Sequence, residues 1–102
     1  MEELLLLLLG ILAVGVAAAI LIKIGGWLVS WARKVIRKAI QGVKYGLLTL
    51  ANNFQSKSAY AIGENHGELE VVEEITVDED DLSDEILEAI RRHQAVSEKI
   101  YI

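Results

Sequence analysis

Residues 4–22, LLLLLLGILAVGVAAAILI, constrain this chain more than any other stretch. They include no charged residue, no strong hydrogen-bonding side chain and no proline. At about 1.5 Å per residue the run reaches roughly 28 Å as a helix, which matches the hydrocarbon core of a bilayer. The pattern predicts a single transmembrane helix. Glu2 and Glu3 precede it, where a secretory signal peptide has a basic start, and the run is longer than the apolar centre of such a signal. It therefore reads as a retained anchor.

Charge divides the rest of the chain. The net charge of −5 conceals two opposed zones. Residues 23–57 carry seven basic residues and no acid, whereas residues 58–102 carry thirteen acids against Arg91, Arg92 and Lys99. Cations directly after an apolar span favour its cytoplasmic side. The expected topology places Met1 outside and the C-terminal four-fifths in the cytoplasm.

Within the apolar run, Gly10, Ala13, Gly15, Ala17 and Ala19 supply small residues, some of them four apart. That spacing suits close approach of a second helix and also arises by chance in membrane helices. Lys23 ends the run and Gly25-Gly26 follows, a bend signal. Trp27 and Trp31 then fall at the depth where tryptophan favours a membrane interface.

Residues 27–50 plot as a basic amphipathic helix. Arg33, Lys34, Arg37, Lys38 and Lys44 share one sector with Gln41. Leu28, Val29, Ala32, Val35, Ile36, Ala39, Ile40, Val43, Leu47 and Leu50 share the opposite one. Lys23, Trp27, Trp31 and these cations are the candidate lipid- or partner-binding residues. The apolar sector is read either as lying in the lipid interface, with the cations on anionic headgroups, or as packing on protein.

Residues 51–67 are polar, with turn signals at Gly63 and Gly67, and read as a linker with a short extended piece near residues 59–62. Residues 68–78 alternate with period two and predict a strand. Asp78-Glu79-Asp80-Asp81 lacks the spacing of an EF-hand and reads as a helix start, with Asp81 or Ser83 as cap. A helix is expected over 82–97. Ile100, Tyr101 and Ile102 predict either a last strand beside residues 69–77 or a segment that docks on a partner.

The expected fold class is thus a mainly α membrane protein. Its parts are a transmembrane anchor over 1–24, a basic amphipathic interfacial helix over 25–50, a linker over 51–67 and a small acidic β–α(–β) tail over 68–102. The chain has no cysteine, which excludes disulfides and thiol chemistry. No nucleophile–base pair, phosphate loop or metal-ligand spacing is visible, so no enzyme activity, cofactor or metal is expected. Nucleic acid is not an expected partner, because no base-reading motif accompanies the basic segment. The expected role is non-catalytic: an oligomeric scaffold, or an accessory subunit of a membrane complex, in contact with anionic lipid. The alternative is a small pore-forming or membrane-perturbing effector. The order of acidic start, apolar middle and basic segment also resembles filamentous phage coat proteins over less than half of the chain, which implies a virion or filament coat component.

Overall fold

A computed structural model describes residues 20–53, 56–93 and 95–102. The elements are β1 (Ile20–Leu21), α1 (Gly26–Ala39), β2 (Tyr45–Asn53), β3 (Ser56–Asn65), β4 (Glu68–Val77), a 3-10 turn (Glu79–Asp81), α2 (Asp84–His93) and β5 (Ala95–Tyr101). The strands form one sheet in the order β1-β5-β2-β3-β4. β1 runs parallel to β5, and the other neighbours are antiparallel.

Local chemistry explains the turns and stops. α1 ends at Ile40, which is extended, and Gly42 turns the chain with φ of 77°. Between β3 and β4, His66 and Gly67 both have positive φ, as a two-residue type I′ hairpin turn requires. Ser83 caps α2 by accepting the Ile86 N–H at 3.2 Å, with Asp84 and Glu85 at the positive end of the helix dipole and Arg91 and Arg92 at the negative end.

Both helices pack on the same face of the sheet. Leu28, Ala32 and Ile36 of α1 and Ile86 and Ile90 of α2 join Leu48, Leu50, Ala59, Ala61, Val96 and Ile100 in one buried cluster. The opposed glycines Gly46 and Gly63 bring β2 and β3 close under the end of α1. A Cβ on Gly46 would lie 2.8 Å from Ile36 Cδ1, and one on Gly63 would lie 2.5 Å from Ile40 Cδ1.

This architecture overturns the mainly α membrane fold. Among the described residues no helix is long and apolar enough to cross a membrane. Ile20 and Leu21, the end of the apolar run, pair with Val96 and Ser97, and the Ile22 N–H continues the ladder to the Ser97 carbonyl at 2.9 Å. The end of the expected span is therefore part of the sheet, and the single-pass topology with a cytoplasmic tail is corrected accordingly. Hydropathy registers removal from water and does not separate a bilayer from a protein interior. Gly10, Ala13, Gly15, Ala17 and Ala19 lie outside the described residues.

The amphipathic segment also divides differently. The helical part is α1, and Tyr45 to Leu50 begin β2. Leu47 and Leu50, which share a helical sector, face opposite sides of the sheet. α1 buries its apolar side on the chain's own strands, so it is not an interfacial helix. Most of residues 51–67 belongs to β2 and β3, and of the two expected turn signals Gly67 lies at the β3–β4 turn while Gly63 lies within β3 opposite Gly46. β5 pairs with β2 and β1, so the C-terminal segment closes the sheet against the central hairpin instead of against β4.

Candidate functional site

The outer side of α1 carries the densest run of cations, and four contacts fix how it is presented. At its start, the Glu98 Oε1 accepts the Ile24 and Gly25 N–H groups at 2.6 and 2.8 Å. Along its flanks, Trp31 Nε1 donates to Glu73 Oε2 at 2.9 Å, and Arg33 Nε donates to the Tyr101 carbonyl at 3.0 Å. α1 is thereby tied to β5 through Glu98 and Tyr101, and to β4 through Glu73. Apolar residues at 28, 32 and 36 hold the inner stripe down.

Lys34, Arg37 and Lys38 point outward from this fixed helix and are exposed. Among the described residues, no carboxylate forms an ion pair with any of the three. α2 differs, because its Arg91 and Arg92 both pair with Glu88 on the same helix. The Arg91 guanidinium holds the Glu88 carboxyl below its ordinary value, and Glu88 raises Arg91 in return. Trp27 is half exposed at the start of α1. Lys23 and Lys44 are exposed at either end of the helix but sit on connectors.

The candidate docking residues at the C-terminus separate. Ile100 belongs to the core and is 2 % exposed. Tyr101 is 70 % exposed, beside the Lys99 ammonium, which lies 5.6 Å from its ring and 5.0 Å from that of Tyr45. Ile102 is half-buried, and its N–H bonds the Lys44 carbonyl. Of the three, Tyr101 alone offers a large accessible surface, and its carbonyl is tied to Arg33 next to the cation run.

A cleft of about 500 Å³ lies where the β1–α1 connector meets the start of α2, lined by Gly25, Gly26, Trp27, Leu82, Ser83 and Ile86 among others. Asp81 and Glu85 line it together with Lys23, and Glu98 already takes two of the nearby N–H groups, so two acids against one cation leave it without a net positive charge for an anion. His66 lies at the β3–β4 turn and His93 at the end of α2, and both are exposed. Among the described residues no group of three or more His, Asp or Glu side chains has the arrangement to hold a metal ion.

Sequence reasoning reached Trp31 and Arg33 as lipid- or partner-binding candidates and missed what anchors them. Glu73 and Glu98 are far from α1 in sequence and carry no local signal of that role. Glu73 did break the apolar row of its strand, the one hint available. No protein-family model, curated protein or solved structure matches this chain.

Proposed function

We propose that this chain is a non-catalytic assembly module, acting as an oligomeric scaffold or an accessory subunit, whose basic α1 surface docks an acidic protein surface. The observation that carries this reading is the row Lys34, Arg37 and Lys38. Its cations are held outward on a fixed helix and, among the described residues, none of them pairs with a carboxylate, in a chain where acids outnumber bases. Like-signed groups presented together raise the local potential and steer a partner of opposite sign. Trp27 and Tyr101 at the margins add the exposed aromatic area that protein interfaces favour. A second copy qualifies as partner, because Asp78, Asp80, Asp84 and Glu85 are exposed on the same molecule.

The test pairs sedimentation of the full chain with its binding to a labelled polyglutamate peptide. Lys34→Glu with Lys38→Glu is expected to weaken one or both associations by about tenfold or more, while leaving the unfolding temperature unchanged, and added salt is expected to do the same. Association that is unaffected by both salt and charge reversal overturns the reading.

A further inference from the structure

The sheet has a second face, turned away from both helices. Register places Leu47, Thr49 and Ala51 of β2 on it, with Ser58, Tyr60 and Ile62 of β3 and Ala95 and Ser97 of β5. All of them but the half-buried Tyr60 are closed off. Leu47 is 2 % exposed, Ala51 is 1 %, and Thr49, Ser58, Ile62, Ala95 and Ser97 are 0 %. Among the described residues, the apolar side chains packed against this face, Tyr60 and Leu69, belong to the sheet itself. A pleated sheet does not bury one of its own faces, so full burial there requires a covering layer.

We propose that residues 4–19 of this chain are the occupant of that second face, docked across β5, β2 and β3. Three observations select this segment. It enters the sheet at Ile20, on the strand next to β5, so its end is delivered to the margin of this face. It is uncharged and built of leucine, isoleucine, valine, alanine and glycine, and the face it meets is equally free of charge at its centre. Lys99, Glu64 and Glu74, the charged residues in register with the face, sit toward its margins. Reach is sufficient in any conformation. Sixteen residues span about 24 Å even at helical rise, and crossing from β5 to β3 takes about 10 Å. The segment then acts as part of the domain's interior, and its small residues Gly10, Ala13, Gly15 and Ala17 are suited to close contact with strands bearing Thr49, Ala51 and Ser97. This inference is independent of the basic surface on α1.

The chain has no cysteine, so single thiols report cleanly. Ser97→Cys and, separately, Ala51→Cys place one on the second face, and Ser30→Cys places one on the exposed side of α1. In the full chain without lipid, both second-face thiols are expected to react about 100-fold more slowly than the Ser30→Cys thiol, at every protein concentration. Adding Leu7→Asp and Val14→Asp is expected to speed second-face labelling about tenfold or more, while a Val96→Cys thiol on the helix-covered face stays protected. Ala51→Cys carries the test if Ser97→Cys does not fold. Protection that grows with protein concentration overturns the proposal in favour of a second copy. Protection that appears only with phosphatidylcholine vesicles overturns it in favour of lipid. Rapid labelling in the folded full chain, or indifference to the two aspartates, also overturns it.

Discussion

The two faces of this sheet are buried by different chemistry. The helix-covered face is made of leucine, isoleucine, valine and alanine, with glycine where α1 presses closest. The second face mixes Leu47 and Ile62 with Thr49, Ser58, Ser97 and two alanines, and none of these buried hydroxyls lacks a hydrogen-bond partner. Thr49 Oγ1 and Ser97 Oγ, on directly paired residues, lie 2.7 Å apart in a buried hydrogen bond. One face is therefore held by interlocking shape, and the other by small side chains that pair their polar groups across strands. Such a face tolerates close approach of a covering segment, whereas the face under α1 depends on large side chains filling defined gaps.

This contrast orders the effects of substitution. Gly46→Ala strikes the shape-dependent face hardest. Its Cβ would fall 2.6 Å from the Ile62 carbonyl oxygen as well as 2.8 Å from Ile36 Cδ1, and the backbone oxygen cannot swing away. A loss of about 3 kcal/mol is expected in denaturant unfolding. Gly63→Ala meets only the Ile40 and Ile36 side chains and should cost less, about 1 kcal/mol. Equal losses at the two positions would mean that shape does not govern this face.

On the second face, Thr49→Val leaves the Ser97 hydroxyl buried without its partner and is expected to cost about 1–3 kcal/mol. Removing both hydroxyls, with Thr49→Val and Ser97→Ala, should restore stability to within about 1 kcal/mol of the native chain. A double variant as unstable as the sum of its parts would show that the hydroxyls do more than satisfy each other.

The smallest effect is a pH dependence. Burial, together with the nearby Glu74 carboxylate, holds the Tyr60 phenol above its ordinary value of 10.0. A raised folded value means that the neutral phenol is favoured in the native state. Its contribution is complete below pH 10.0 and is lost as pH rises through the higher folded value. Alkaline unfolding curves should therefore show a loss in the native chain that is reduced in Tyr60→Phe. No difference between the two would place Tyr60 outside the buried part of this face.

Several elements were legible because their signals are local. The alternation over 68–78 coincides with β4, and the helix expected over 82–97 forms as α2 only over Asp84–His93, because Ala95, Val96 and Ser97 pair with β2 as part of β5. The stripe at Leu28, Ala32 and Ile36 marks the buried side of α1. The run from Gly46 to Ala51 was not legible, because a strand buried on both faces reads as continuous apolar sequence and fits a helical wheel equally well. The candidate site was half legible. Its cations repeat at helical spacing, but Glu73, Glu98 and the Tyr101 carbonyl, which hold α1 in place, lie at least 42 residues away along the chain.

Periodicity and charge order thus specified which segments bear charge and which must leave water. Where the apolar segments go depended on pairings distant in sequence. β5 joins β2 and β1, and the tail of a run long enough for a bilayer ends as a sheet strand. Hydrophobicity is a free energy of leaving water and carries no address, so the destination is set by the surfaces that the folded chain brings together.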